Sequence, residues 1–310
     1  MAKERSKVLD YLVYLMVRGL VCVVQALPFD LACRLADGLA WLAYRLNRRH
    51  RLVALDNLTH AFGDALTPAQ RDEMVRRVYR HFCALLIELD HLPRLLHPCS
   101  WHRYLDLVGG RAIVDGLLSG RPLLIVTGHF GNWELAGFAL GLFGFRTHAI
   151  ARTLDNPYLN EFFLHRFRQR TGQTILDKSG DFERIQKVLA EGGVIATLGD
   201  QDAGQRGQFV PFFGRPASTH KAVALLALEH DAPLLVTGTP RVAAGLRYEV
   251  IAEEVIDPRD FAGRGDAVKV MTERFTAALE RLIRRHPEQY FWLHRRWKHQ
   301  PKERKRNRAA

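Results

Sequence analysis

His129 and Glu134 are the residues in this chain whose types and spacing could do chemistry. They stand in Arg121–Gly137, RPLLIVTGHFGNWELAG. An imidazole can take a proton from a hydroxyl near neutral pH. A nearby carboxylate can orient it, fix its tautomer and raise its basicity. Each residue alone has a plainer reading. A lone histidine beside a strand is more often structural, and a glutamate in a helix's first turn often only answers the helix dipole. Here both fall in one glycine-rich turn after a fully apolar run, which moves the pair toward catalysis. A third acid, Asp200 in Gly199-Asp200-Gln201-Asp202, leaves the end of another apolar run, Val194–Leu198. A turn or cap role is its ordinary alternative.

These residues need elements to hold them. Pro122–Thr127 reads as a strand covered on both faces, because its apolar residues are continuous rather than alternating. Gly128 and Gly131 let the backbone turn sharply and admit a ligand. His129 then sits at a strand's carboxyl end, where open α/β sheets place ligands, and Asp200 sits on the same edge. Further strands are expected at Tyr104–Val108, Thr147–Ala151, Pro233–Thr239 and Arg247–Val255. Helices are expected at Ala112–Leu118, Leu135–Leu142, Asn156–Thr171, Ser218–Glu229 and Asp266–Arg285, and from Asp181 to Glu191. Thr67-Pro68-Ala69-Gln70 is a capping box opening an amphipathic helix, with Pro93 and Pro98 expected to end it. Strands alternating with helices across 104–256 predict an α/β fold with a mixed central sheet flanked by helices.

Composition excludes some classes. The chain has 310 residues, 47% apolar and 25% charged, with a formal charge of +12. That is a globular composition, and the charge favours anionic partners. The four cysteines show no metal spacing and read as reduced, buried thiols facing the cytoplasm. There is no P-loop, HExxH or G-x-S-x-G elbow, so neither a metal nor a serine acyl-enzyme is expected, and no cofactor either. No nucleic-acid module is visible. Val8–Leu27 is long enough to span a bilayer, but Asp10 and Arg18 oppose insertion. With Leu31–Leu46 it forms an apolar helical hairpin ending in Arg45–Arg51 (RLNRRHR), suited to a membrane with anionic headgroups. Residues 1–50 are therefore expected to associate with membrane, 51–300 to form the α/β domain, and 301–310 to be a disordered basic tail.

Several boxes together carry a resemblance. Gly128–Glu134 (GHFGNWE), Arg152–Gly172 with its Asn-Pro and paired arginines, Asp200-Gln201-Asp202, Val210–Gly214 (VPFFG) and Tyr290–Trp297 (YFWLHRRW) resemble the bacterial lipid A biosynthesis acyltransferases, the lauroyl/myristoyl transferase family. Asn57–Phe62 is similar to another family segment and is assigned to packing. The resemblance implies a glycerolipid acyltransferase-like fold with an N-terminal anchor in the cytoplasmic membrane. It implies an acyl carrier protein as donor and an anionic lipid A precursor as acceptor. His129, Glu134 and Asp200 are then the catalytic candidates. Glu134 is expected to orient His129, and Asp200 to position a partner or the acceptor. Asn132, Asp202, Arg166 and Arg168 are expected to bind substrate, although a solvated face would equally explain the arginines. Val210–Gly214 is expected to be an aromatic turn that could wall an acyl tunnel. The aromatics and arginines of Tyr290–Trp297 suit a bilayer interface. Two other readings remain open: a related acyltransferase using acyl-CoA or another lipid acceptor, such as a phosphoinositol mannoside, and a basic membrane-surface or nucleic-acid binding protein with no chemistry.

Overall fold

The computed structural model describes residues 6–162, 172–177, 180–243 and 245–301. The strands are β1 (Leu105–Val108), β2 (Leu123–Thr127), β3 (Thr147–Ala151), β4 (Thr174–Asp177), β5 (Val194–Leu198), β6 (Gln208–Phe212), β7 (Arg215–Thr219), β8 (Leu234–Gly238), β9 (Arg241–Ala243) and β10 (Arg247–Ile256). Eight of them make one mixed sheet in the order β1-β10-β8-β2-β5-β3-β4, with β9 on β10. From β8 to β4 neighbours run parallel; β10 runs antiparallel to β8. The helices are α1 (Lys7–Ala26), α2 (Phe29–Leu46), α3 (Arg48–Phe62), α4 (Pro68–Leu95), α5 (Gly110–Leu118), α6 (Trp133–Leu142), α7 (Pro157–Asn160), α8 (Phe182–Ala190), α9 (Ala222–Glu229) and α10 (Ala267–Arg285).

β2 shows why its sequence lacks alternation. Leu124 and Val126 enter one core with Val223 of α9 and Phe275 of α10. Leu123 and Ile125 enter a second core with Ile113 of α5 and Leu135 and Phe138 of α6. Both faces are thus covered, as parallel sheets require. Strand β10 pairs antiparallel alongside β8, and β1 continues the sheet parallel to β10.

Helix α4 begins at the expected box, with Thr67 and Gln70 capping each other's backbone. It does not stop at Pro93 but continues two residues to Leu95. A proline in the final turn deletes one ladder bond and leaves the earlier ones intact. Ala32, Ala36 and Ala40 recur every four residues on the buried face of α2. These small side chains let α2 lie close along α4. Its other face leaves Leu31, Leu35, Leu39, Leu42 and Leu46 exposed. Helix α1 also lies on α4, and on α7. Arg18 of α1 stacks over Phe162 at 4.4 Å, and Asn156 Nδ2 donates to the Asp10 carbonyl at 2.9 Å. Leu12, Met16, Leu20 and Val23 stay exposed. Helix α1 is long and apolar enough to cross a membrane.

Four sequence expectations change. Val210–Gly214 is mostly strand: β6 and β7 form a hairpin whose two-residue loop, Phe213-Gly214, has φ of 49° and 71°. Two left-handed positions fit the tight turn that matches strand twist. Phe212 and Phe213 are core residues. Ser218 and Thr219 finish β7, so the next helix starts only at Ala222. Tyr290–Trp297 is not an interface belt; Tyr290, Trp292, Leu293, Arg296 and Trp297 are buried. The cysteines are free, but Cys22 and Cys99 are exposed and Cys33 and Cys83 half-buried: Cys22, Cys33 and Cys83 lie on helix sides that no other element covers fully, and Cys99 lies in the turn after α4.

Candidate active site

Strands β2 and β5 are neighbours in register, with Thr127 opposite Leu198. Their carboxyl ends therefore release His129 and Asp200 side by side. Gly199 N–H donates to the Thr127 carbonyl at 2.7 Å, extending the pairing one residue beyond the strands. Gly128 has no side chain to spare room for: a Cβ there would lie 3.3 Å from the Asp200 carboxyl. The Asp200 carboxylate accepts twice from His129, from backbone N–H at 2.8 Å and from Nδ1 at 2.9 Å. One side chain thus fixes both the position and the tautomer of the imidazole.

Gly131 secures the other end of the turn. Its φ is +60°, and a Cβ would stand 2.0 Å from the Thr239 carbonyl oxygen. Its N–H donates to Gln289 O at 3.0 Å, and Asn132 N–H to Thr239 O at 2.8 Å. Asn132 caps α6 by accepting from Leu135 N–H at 2.9 Å; its Nδ2 is buried without a hydrogen-bond partner. The closing segment then crosses the turn, with Phe291 N–H donating to the His129 carbonyl at 2.9 Å. Phe291 and Trp133 flank the imidazole with ring centroids 6.0 and 5.2 Å away.

The His129 side chain keeps 17% of its surface open and Asp200 keeps none. Only the imidazole can therefore meet a substrate. Its Nε2 carries no hydrogen bond to the described residues, so it is free to take a proton. Burial works against the imidazolium, but the Asp200 charge and hydrogen bond, aided by the Glu134 charge, outweigh it and raise His129 above its ordinary value. Burial likewise opposes ionisation of Asp200. The charge and bonds of His129, with the His294 charge, reverse that and hold the carboxyl well below the usual range. The arrangement suits proton transfer from a hydroxyl, with the resulting imidazolium stabilised by a buried carboxylate.

The model of the bacterial lipid A biosynthesis acyltransferases matches residues 2–299. The chain belongs to that family. It is 28% identical over 295 residues to the lipid A biosynthesis lauroyltransferase of Escherichia coli (strain K12), covering 91% of this chain and 90% of that one. It is 26% identical over 292 residues to the palmitoleoyltransferase of the same organism, again covering 91% and 90%. The phosphatidylinositol mannoside acyltransferase of Mycobacterium tuberculosis (strain ATCC 25618 / H37Rv) is 27% identical over 216 residues, 68% of this chain and 66% of its own. This lipid A-family chain is an O-acyltransferase.

The remaining predicted residues of the acyltransferase fall in different places. The sequence reading gave the orienting bond to Glu134, but the Nδ1 bond is made by Asp200. Glu134 lies in the first turn of α6, accepts from Trp133 Nε1 at 3.1 Å, and reaches the imidazole through its charge. Asp202 accepts from His299 Nδ1 at 2.6 Å and from Gly204 N–H at 3.2 Å, so it ties the loop after β5 to the chain's last described residues. Arg166 and Arg168 lie outside the described residues.

Sequence reasoning missed the residues that close the site. Tyr290 and His294 both face Asp200. Burial and the Asp200 charge push the Tyr290 phenol up, while burial pushes His294 down against the Asp200 charge. His294 Nδ1 donates to Phe291 O at 2.7 Å. Buried Arg296 donates to Ser218 O and Thr219 Oγ1, both at 2.6 Å, pinning β7 beneath the loop after β5. Asn57 Nδ2 donates to the carbonyls of Trp292 and His294 at 2.7 and 2.8 Å, which is the packing role expected for its segment. The signal was present as polar residues spaced through YFWLHRRW, where an interface belt and a buried polar core look alike.

Proposed function

We propose that this chain transfers a fatty acyl group from an acyl thioester, carried by acyl carrier protein, to a hydroxyl of a lipid A precursor at the cytoplasmic face of the inner membrane. The observation that carries the reading is the His129–Asp200 pair at the mouth of two parallel strands, with Nε2 making no hydrogen bond among the described residues. His129 Nε2 removes the proton from the acceptor hydroxyl as its oxygen attacks the thioester carbonyl. Asp200 holds Nδ1–H and stabilises the imidazolium. The tetrahedral intermediate collapses by breaking the C–S bond, and the imidazolium returns its proton to the departing thiolate. Direct transfer needs no acyl-enzyme because the thioester is already activated. Glu134 supplies a second negative charge that favours the imidazolium.

The lipid A relatives cover nine-tenths of this chain, which favours a lipid A precursor over a phosphatidylinositol mannoside as acceptor. The exposed leucine stripe on α2 and the apolar face of α1 favour membrane immersion. Arg18 stacked on Phe162 and Asn156 bonded to the Asp10 carbonyl favour α1 lying along the domain in the interface rather than standing away from it.

The test is an assay with acylated carrier protein and a lipid A precursor, read by mass spectrometry of the lipid. The wild-type chain adds one acyl group, and His129→Ala lowers the rate about 10²–10⁴-fold, the usual contribution of a positioned base. An unchanged rate in His129→Ala would sink the mechanism. Activity only with a phosphoinositol mannoside would sink the acceptor.

A further inference from the structure

Far along the chain from His129, five guanidinium groups converge on one cleft of about 420 Å³ between α2, α3 and α4: Arg45, Arg51, Arg76, Arg77 and Arg80. Two carboxylates share its wall, Asp37 and Glu73. Asp37 is held by Arg80 at 2.9 Å. Just outside, Asp72 is held by Arg76 at 2.9 Å and accepts from the Tyr44 hydroxyl at 2.5 Å. Among the described residues Arg45, Arg51 and Arg77 make no ion pair, so the wall keeps an excess of positive charge. The catalytic proposal above uses none of these residues.

Ring faces hold the cations in place. Arg51 and Arg76 lie over Tyr44 at 4.9 and 5.1 Å from its centroid, and Arg45 lies over Trp41 at 5.3 Å. Stacking uses the guanidinium plane and leaves the N–H edges for an anion. An arginine fork fits the paired oxygens of a phosphate. The cleft volume falls within the roughly 300–1,000 Å³ of small-ligand sites. A folded acidic protein would instead spread its contacts over about 800 Å² of flatter surface. Trp41 connects the cleft to the bilayer side. It lines the cleft and is itself 62% exposed, and the next residue along α2, Leu42, belongs to the exposed leucine stripe. An anion seated among the arginines would have apolar surface beside it on which hydrocarbon could lie.

We propose that this cleft binds the phosphate of a phosphorylated lipid headgroup at the membrane surface. The phosphate sits against the forks of Arg45, Arg51 and Arg77, and the acyl chains leave along the leucine stripe. The inference takes its membrane setting from the functional proposal, but its test is binding, not transfer, so the two can fail separately.

The experiment is titration calorimetry of the full chain in neutral detergent with dihexanoyl phosphatidic acid, inorganic phosphate and an acidic carrier protein. The chains compared are wild type, R45Q/R77Q, R77K, and R48Q/R49Q, which removes the same charge from exposed positions at the start of α3, outside the cleft. Phosphatidic acid is expected to bind the wild type more tightly than inorganic phosphate does. R45Q/R77Q should weaken it about tenfold or more, the worth of a charge-assisted contact. R77K should fall between, keeping the charge but losing the fork. R48Q/R49Q should bind as the wild type does. The exposed substitutions leave the core untouched, and an unchanged melting temperature checks this. Equal affinity for inorganic phosphate would assign the cleft to a free anion and overturn the headgroup. Loss of carrier protein binding in R45Q/R77Q alone, without loss of phosphatidic acid, would assign it to the carrier. An equal loss in R48Q/R49Q would reduce it to diffuse surface charge. No binding of phosphatidic acid to the wild type would also overturn the proposal.

Discussion

Asp200 is the residue whose replacement separates orientation from proton transfer. In Asp200→Asn the amide keeps the shape but loses the charge that raises His129. Burial, which works against the imidazolium, then dominates. In the proposed mechanism the wild-type rate requires neutral His129, so it is expected to climb as pH rises through a value above the ordinary 6.5. The expected result is a kcat/KM profile whose acid limb moves to lower pH, with a plateau about 10²–10⁴-fold lower because the tautomer is no longer enforced. An acid limb that does not move, or moves upward, would remove Asp200 from the mechanism. The sequence allowed His129 and an acid to be named as a pair, but it favoured the wrong acid for the hydrogen bond. Glu134 is five residues away in the chain and Asp200 is 71. Proximity in sequence is visible in a single chain. The neighbour relation of β2 and β5 is not, because parallel strands are joined by crossovers of variable order.

At the scale of elements, the turn after β2 depends on a residue with no side chain. Gly131→Ala forces a left-handed φ on an L-residue, costing about 1–2 kcal/mol. It also drives a methyl into the Thr239 carbonyl, so the two strand ends must separate. The expected outcome is a lower melting temperature together with loss of activity, checked by thermal unfolding and by the transfer assay on the same preparation. Loss of neither would mean that the turn relaxes freely. Elements were legible where composition was one-sided. The apolar run of β5 lies where the sequence puts it, and the capping box at Thr67 marks the start of α4. The misses have physical causes. β6 and β7 each contain a proline, Pro211 and Pro216, which normally argues against a strand. As a two-stranded hairpin apart from the main sheet, they bond on one side only and tolerate both. β4 is four residues long with a polar end, too short to show a period.

For the whole molecule, the two sides of α2 divide the labour. Its alanine face binds α4 and its leucine face binds nothing described. Replacing Leu35, Leu39 and Leu42 together with serine should leave the fold intact, since all three are already exposed. It should weaken association with phosphatidylcholine vesicles, each leucine withheld from the bilayer removing on the order of 1 kcal/mol. Vesicle co-sedimentation measures this, and unchanged partitioning would place the membrane contact elsewhere. The apolar character of α1 and α2 was plain in the sequence. Which face each presents was not, because that follows from packing on α4. The stretch from Tyr290 to Trp297 was misassigned for the related reason that amphipathic aromatics are stable in two different surroundings.

That same stretch sets an order of events during synthesis. Its Phe291 N–H bonds to the His129 carbonyl, and its Arg296 ties down β7. A ribosome that has released every strand of the sheet has still not delivered Tyr290, Phe291 or His294. A nascent transferase can therefore assemble its sheet while remaining inert, and gains a complete centre only once those side chains have left the ribosome.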